Sequence, residues 1–158
     1  MRVIVYPGSF DPITNGHIEI AKKALNSFDK VVMLVADNDT KKARFTTEER
    51  FEMVTEAVEG IKGIEVYMTH GLTVEFAKKI GTHYLLRGIR DDVDMSYENR
   101  YAELTHQLDK NIEFIYIKAS DEFKGISSTK IDMMARSGKD ISKLVPKSVE
   151  KRYQKKVA

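Results

Sequence analysis

The sequence predicts an α/β protein, a Rossmann-like, doubly wound parallel sheet of five strands with helices on both faces. Short β-branched runs alternate with longer segments of helical period, which is typical of strands and helices that follow one another along the chain. Most strand candidates are apolar enough to be central strands of a parallel sheet. At 158 residues, the chain is long enough for one substantial core and too short for two ordinary domains.

Five strands and six helices are predicted along the chain. The strands are expected over Arg2 to Tyr6, Lys30 to Ala36, Glu65 to Met68, His83 to Leu86 and Glu113 to Ile117. The helices are expected over Gly16 to Ser27, Thr47 to Glu59, Thr73 to Ile80, Val93 to Leu108, Ser127 to Ser137 and Ser148 to Lys156. Gly81 and Gly138 are candidate helix stops. Because ligands of such sheets bind beyond the carboxyl ends of the strands, the segments that follow each strand are the candidates for function.

Composition excludes several classes of function. The 26 basic and 24 acidic residues leave a net charge of +2, which disfavours nucleic acid and anionic membrane as partners. No cysteine is present, so disulfides, thiolate metal sites and cysteine nucleophiles are excluded. With neither an apolar stretch of bilayer length nor a secretory signal pattern, we expect a cytoplasmic protein. The sequence contains no metal-binding motif.

Local basic groups are candidates for binding an anion. They lie near turn-like segments, at Lys41, Lys42, Arg44, Arg87 and Arg90. Lysines near Lys151 are interpreted as a solvated face of the C-terminal helix.

The segment PGSFDPITNGH, from Pro7 to His17, follows the first strand. Gly8 lets the backbone approach a ligand, and a helix that begins here offers free N–H groups to a phosphate, with His17 in its first turn. The alternative is ordinary turn chemistry, in which Asp11 or Thr14 caps the helix and His17 is an exposed side chain.

The segment RGIR follows the fourth predicted strand. Arg87 and Arg90 are three residues apart, and Gly88 between them leaves room for a ligand. Guanidinium groups bind phosphate oxygens in pairs and stay charged at any working pH. The alternative is a surface pair neutralised by nearby aspartates. These are Asp91, Asp92 and Asp94.

Two further segments are suited to phosphate. Lys41 and Lys42 follow the second strand, where a lysine can close over a phosphate, although a solvated loop is the alternative. Hydroxyl groups open the helix after the fifth strand, at Ser127, Ser128 and Thr129. One serine is enough to cap a helix, so three in a row favour a cradle for a triphosphate over capping alone.

The helix from Val93 to Leu108 carries an apolar pattern and one acid of interest. Glu98 would ordinarily be an exposed charge or an ion-pair partner of Arg100 or its neighbours. Core or subunit-contact positions are expected at Met95, Tyr97, Tyr101, Leu104 and Leu108.

Taken together, these segments resemble bacterial phosphopantetheine adenylyltransferases of the nucleotidyltransferase superfamily. GSFDPITNGH is similar to that superfamily's first signature, in its [TS]-x-G-H form. The other matching segments are KKARFTTEER from Lys41 to Arg50, LLRGIR from Leu85 to Arg90, Tyr97 with Glu98, and GISSTK from Gly125 to Lys130. They span about the whole chain in the order and spacing of the family, which makes the resemblance more specific than any one motif.

The resemblance implies that residues 1–158 form a single nucleotidyltransferase domain. It implies transfer of AMP from ATP to 4'-phosphopantetheine in coenzyme A biosynthesis, giving dephospho-coenzyme A and pyrophosphate, by in-line attack without a general base. Mg²⁺ bound mainly through the ATP phosphates, a homo-oligomer that is a hexamer, and feedback binding of coenzyme A are further expectations. The alternatives are a related adenylyl- or cytidylyltransferase with another phosphorylated acceptor, and a non-catalytic nucleotide sensor.

By resemblance, His17 stabilises the transition state. The implied ATP-binding residues are Ser9, Phe10, His17, Gly88, Ile89, Arg90, Glu98, Phe123, Lys124, Gly125, Ile126, Ser127, Ser128 and Thr129. The implied acceptor-binding residues are Ser9, Lys41, Thr73 and Arg87. No protein residue is assigned to the metal. The sequence departs from the family at Thr73, often a large apolar residue, at Lys124 and Gly125, where an aromatic residue is common, and at Asp132, which is often basic.

Overall fold

The computed structural model describes residues 1–37, 43–90 and 92–157. The strands are β1 Val3–Gly8, β2 Lys30–Ala36, β3 Ile64–Thr69, β4 Tyr84–Ile89 and β5 Glu113–Lys118. The helices are α1 Asn15–Ala24, α2 Thr47–Val58, α3 Thr73–Ile80, α4 Asp92–Leu108, α5 Ser128–Arg136 and α6 Lys147–Val157. The predicted fold class is confirmed.

All strand pairs are parallel, and the strand order is β3-β2-β1-β4-β5. The chain builds outward from β1 to β3 and then crosses to the other side of β1 to add β4 and β5. The direction of winding therefore reverses between β1 and β4, where the crevice of an open α/β sheet binds its ligands.

Two strands extend by two or more residues beyond their predicted carboxyl ends. We expected the first strand to end at Tyr6, but β1 continues through Pro7 and Gly8, which pair with Leu34 and Val35 of β2. The fourth was expected to end at Leu86, but β4 continues to Ile89 because Arg87, Gly88 and Ile89 pair with β5. Strand pairing overrides the loop preference of glycine and proline here, so RGIR lies largely within the sheet and not after it.

Each face of the sheet is covered by a cluster of buried apolar side chains. Ile4 and Tyr6 of β1 belong to the larger cluster, whereas Val5 belongs to the smaller one, as the alternation of side chains along a strand requires. Within the described part of the chain, no helix is both long enough and apolar enough to cross a membrane.

Helix ends follow local capping rules. Thr14 and Thr46 cap α1 and α2, each in a reciprocal capping box with the third helical residue, His17 or Glu49. The predicted stop at Gly81 is confirmed: it ends α3 with a φ of 87°. The first helix ends at Ala24, three residues before its predicted end.

Candidate functional site

A cavity of about 330 Å³ opens between the carboxyl ends of β1 and β4. Its walls come from the end of β1, the start of α1, the end of β4, the helix α4 and the connection from β5 to α5. The lining residues are Tyr6, Pro7, Gly8, Ser9, Phe10, Thr14, Gly16, His17, Ile20, Arg87, Gly88, Arg90, Tyr97, Glu98, Ala119, Phe123, Ile126, Ser127 and Ser128. The volume and the position at the reversal of winding are those of a small-molecule site.

His17 lies in this cavity with its orientation set by the capping box. Its Nδ1 accepts a hydrogen bond from the Thr14 backbone N–H at 2.9 Å, and its ring packs edge-on against Phe10 with a centroid separation of 5.2 Å. A backbone N–H can only donate, so the proton of the neutral imidazole is on Nε2. His17 therefore caps its helix on one side and is a neutral donor on the other.

The electrostatic surroundings keep His17 neutral. Burial, together with the positive charges of Arg90 and Arg87, lowers the pKa of His17 from 6.5 to about 4. In the folded protein His17 is thus a hydrogen-bond donor without a charge across the neutral pH range.

The protonation of His17 should be visible in a histidine NMR titration. Among the four histidines, we expect His17 to titrate well below 6.5, near 4, while its imidazole titrates near about 6.5 in the unfolded chain. Between these two pKa values, His17 is protonated in the unfolded chain and neutral in the folded protein. Its contribution to stability is therefore complete above a pH of about 6.5 and is lost as the pH falls toward 4. A His17 pKa near 6.5 in the folded protein would contradict the geometry.

Phe10 holds an unusual backbone conformation beside His17. Its φ is 46°, in the left-handed region that non-glycine residues rarely adopt. The residue is 3% exposed, and its ring packs between Gly8 and Tyr6, 5.3 Å from the Tyr6 ring centroid. Packing therefore maintains a strained residue in the wall of the cavity.

Arg87 reaches the cavity from β4 and is paired with Glu98 of α4. Its Nε donates to both carboxylate oxygens of Glu98, at 2.9 and 3.1 Å, and its guanidinium carbon lies 4.4 Å from the centroid of the Tyr101 ring. Burial disfavours the charge, yet hydrogen bonding to Glu98 raises the pKa of Arg87. The pairing fixes the guanidinium from its Nε side.

Glu98 is neither exposed nor paired with Arg100, so the ordinary alternative for this residue does not hold, and its assignment to ATP by resemblance stays a prediction. Glu98 is 4% exposed, and it faces inward together with Thr105, which is 6% exposed. Tyr97, Leu104 and Leu108, in contrast, are 67%, 50% and 62% exposed. Tyr97, Leu104 and Leu108, expected as core or subunit-contact positions, are therefore not core positions, and subunit contact stays a prediction for them.

Gly88 does not leave room for a ligand in the way the sequence suggested. A Cβ at Gly88 would lie 2.4 Å from Ile20 Cδ1 and 3.3 Å from Tyr6 Oη. Ile20 is 4% exposed, so the space above Gly88 belongs to α1. The absence of a side chain lets the helix lie directly on β4.

This packing predicts a specific second-site rescue. Gly88→Ala should lower the free energy of unfolding by about 1–3 kcal/mol, because the added methyl overpacks a buried contact. Ile20→Val deletes Cδ1, the atom in conflict, so Gly88→Ala/Ile20→Val should be more stable than Gly88→Ala alone. Urea unfolding of the four proteins measures both effects, and additive losses would show that Ile20 is not the obstacle.

Asp11 and Arg44 tie the cavity loop to the segment after β2. The Asp11 carboxylate accepts the backbone N–H groups of Arg44 and Phe45 at 2.7 and 2.9 Å, so Asp11 does not cap α1. Arg44 Nη2 donates to Thr129 Oγ1 at 2.7 Å, and its Nε lies 3.6 Å from the Asp132 carboxylate. The prediction of Arg44 as a local anion site is thus replaced by a role in bridging α5 to the loop.

The three hydroxyl groups at the start of α5 have partners within the protein. Ser127 Oγ caps the helix by accepting the Lys130 N–H at 3.1 Å. Ser128 Oγ donates to the Pro12 carbonyl at 2.7 Å, and Thr129 Oγ1 accepts from Arg44. Helix capping and contacts with other segments therefore account for all three hydroxyl groups. Contact with phosphate is not needed to explain the run.

The structure brings most predicted site residues together. Those in the cavity wall are Ser9, Phe10, His17, Arg87, Gly88, Arg90, Glu98, Phe123, Ile126, Ser127 and Ser128. Those outside the wall are Thr73, Ile89, Lys124, Gly125 and Thr129. Lys41 and Lys42 lie outside the described residues. Sequence reasoning missed Tyr6, Thr14 and Tyr97 as lining residues; the position of Tyr97 beside Glu98 was the available signal.

Among the side chains that the structure describes, no three or more histidines, aspartates and glutamates are grouped so as to hold a metal ion. The carboxylate in the cavity wall, Glu98, is engaged by Arg87. A divalent cation that enters on phosphate oxygens fits this donor set, since Mg²⁺ commonly keeps waters and substrate phosphates as ligands.

Comparison with known proteins assigns the family. Residues 5–133 match the model of a family described as cytidylyltransferase-like. A phosphopantetheine adenylyltransferase of Lachnoclostridium phytofermentans is 39% identical over 94% of this chain and 91% of its own length. The chain belongs to the phosphopantetheine adenylyltransferase family.

Further members of the family agree over nearly the whole chain. Phosphopantetheine adenylyltransferases of Desulfitobacterium hafniense and Limosilactobacillus reuteri are 39% and 36% identical, each over 99% of this chain, and 96% and 91% of their own lengths are covered. The matched lengths include every wall of the cavity. The sequence similarity to the family therefore covers the part of the fold that forms the cavity.

Proposed function

We propose that the protein transfers the adenylyl group of ATP to 4'-phosphopantetheine, giving dephospho-coenzyme A and pyrophosphate. The observation that carries the proposal is the convergence of His17, Arg87 and Arg90 in one cavity of a chain similar over nearly its full length to phosphopantetheine adenylyltransferases. A phosphoryl-transfer site requires such a set of donors and positive charges around its anions.

In the proposed reaction, a phosphate oxygen of phosphopantetheine attacks the α-phosphorus of ATP as the bond to the bridging oxygen of pyrophosphate breaks. The second pKa of a phosphate monoester is about 6, so the nucleophile is already largely dianionic at neutral pH and needs no general base. Positioning two anions that repel each other and stabilising the transition state are then the tasks of the protein.

The residues of the cavity divide these tasks. Arg87, held by Glu98, places the acceptor phosphate with help from Ser9. Lys41, which lies outside the described residues, is assigned to the same phosphate by family resemblance alone. Arg90 and the start of α5 bind the ATP phosphates. His17 donates its Nε2 proton in a hydrogen bond to oxygens of the α-phosphoryl group as charge develops there.

Mg²⁺ is proposed to arrive with ATP and to neutralise charge on its phosphate oxygens. Coenzyme A shares the pantetheine arm and the adenylate of the product, so we propose that it competes with the substrates for this cavity. A cytoplasmic location stays a prediction.

We also propose that the protein forms a homo-oligomer, a hexamer by family resemblance, through an outward stripe of α4. The stripe consists of Tyr97, Leu104 and Leu108, all large and exposed. Leu108→Glu should reduce the mass measured by light scattering, while Met133→Glu, an exposed apolar residue on α5, should not. A wild-type monomer would contradict this proposal.

The direct test is pyrophosphate release from ATP and Mg²⁺ with 4'-phosphopantetheine, beside nicotinate mononucleotide and glycerol 3-phosphate. Release with phosphopantetheine alone, with dephospho-coenzyme A as the product, is the expected result. Release with only one rival acceptor would keep the nucleotidyltransferase chemistry and overturn the acceptor. No release of pyrophosphate with any of the three acceptors would favour a nucleotide sensor.

A further inference from the structure

Glu19 of α1 makes a two-point contact with the chain just beyond β5. Its Oε1 accepts the backbone N–H of Ser120 at 2.8 Å, and its Oε2 accepts the Ser120 hydroxyl at 2.7 Å. Lys23, one turn later, lies 3.3 Å from Oε1 and also donates to the Lys118 carbonyl at 3.2 Å. Hydrogen bonds to a charged acceptor are stronger than neutral ones, so this contact fixes Ser120 relative to α1.

Ser120 is the first of a series of turns that build one wall of the cavity. Its carbonyl accepts the Phe123 N–H, and the Phe123 carbonyl accepts the Ile126 N–H, each at 3.0 Å. The Ile126 carbonyl in turn accepts from Arg90 Nη1 at 3.3 Å. Phe123, Ile126 and Arg90 all line the cavity, whereas Glu19 and Ser120 lie behind it.

The same wall rests on α1 at a second point. A Cβ at Gly16 would lie 3.3 Å from Phe123 Cβ, so the connection packs closely against the first turn of the helix. Gly16 and Glu19 therefore hold the connection from two positions on α1, on either side of His17. One helix sets the place of both His17 and the opposing wall.

We infer that Glu19 is a positioning residue that holds the ATP-binding wall at its working distance from His17. The inference rests on the proposed function, since it assigns this wall to ATP. Its effect should be confined to the nucleotide, because Arg87, proposed for the acceptor, is fixed separately by Glu98 and Tyr101.

The test compares Glu19→Gln and Ser120→Ala with wild type. Glu19→Gln puts an amide group opposite one of the two Ser120 donors, so ATP affinity measured by calorimetry should fall about 10-fold, and KM for ATP should rise by a similar factor. KM for phosphopantetheine should change less than about twofold. Both substitutions disrupt the same contact between Glu19 and Ser120. The double variant Glu19→Gln/Ser120→Ala should therefore bind ATP about as tightly as the more affected single variant.

Controls separate this role from general stability. Glu65→Gln breaks a surface pair with Lys30, 2.6 Å apart on neighbouring strands, and should leave both KM values unchanged. Equal rises in both KM values for Glu19→Gln, or an unchanged ATP affinity in Ser120→Ala, would overturn the inference. If the wild-type protein bound ATP but transferred no AMP, the proposed function would be wrong. The calorimetric comparison of the variants would still decide the role of Glu19.

Discussion

His17→Ala is expected to lower kcat by about 10²–10³-fold, the usual loss when one oriented donor to developing negative charge is removed. KM for both substrates should change much less, because the donor acts mainly in the transition state. The loss of the capping contact from Nδ1 to Thr14 should also cost about 0.5–2 kcal/mol of stability. Steady-state kinetics and thermal unfolding measure the two effects separately.

Two further variants serve as controls for His17→Ala: a substitution of another histidine, and a conservative substitution of His17 itself. His83→Ala changes an exposed histidine just before β4 and should leave kcat at the wild-type value. His17→Gln keeps a neutral donor and should retain more activity than His17→Ala. Turnover within about twofold of wild type in a folded His17→Ala protein would remove His17 from the reaction.

Arg87→Met is expected to cost both stability and activity. It leaves the Glu98 carboxylate, whose side chain is 6% exposed, without its cation, a change that typically costs about 3–5 kcal/mol. Loss of the guanidinium should also lower kcat/KM for the acceptor by about 10²-fold, mainly through KM.

The double variant Arg87→Met/Glu98→Gln separates these losses. With the buried charge neutralised, much of the stability in urea unfolding should return, whereas kcat/KM for phosphopantetheine should stay low. If kcat/KM also returned to the wild-type value, the effect of Arg87 would be structural and its assignment to the acceptor phosphate would fail.

The sequence was sufficient to predict the fold class and to bring most candidate site residues to one edge of the sheet. Alternation of strand and helix patterns is a local signal, and the ligand-binding edge of a parallel sheet follows from its topology. The sequence alone therefore predicts that Ser9, His17 and Arg90 lie at one edge of the sheet. A cap at Thr14, one of the two residues considered for the start of the first helix, was accessible for the same reason.

The features that sequence reasoning missed depend on tertiary placement. The local pattern around Glu98 is that of an exposed charge, because its partner, Arg87, lies on a strand in a separate segment of the chain. Only the family resemblance assigned Glu98 to the site. The apolar spacing of α4 left core and subunit contact open for Leu104 and Leu108, and only the tertiary structure shows that both are exposed while Glu98 is buried. The space at Gly88 was assigned to a ligand because nothing local indicates that Ile20 fills it.

The close seating of α1 on its neighbours limits how the protein can respond to its substrates. Ile20 sits where a Cβ of Gly88 would be, and Phe123 packs on Gly16, so a shift of this helix by even one ångström toward the cavity would create clashes in a close-packed interior. We therefore expect α1, which carries His17, to keep its position when substrates bind. The amide protons of α1 should therefore exchange slowly both with and without bound ligand, which native-state hydrogen exchange would measure.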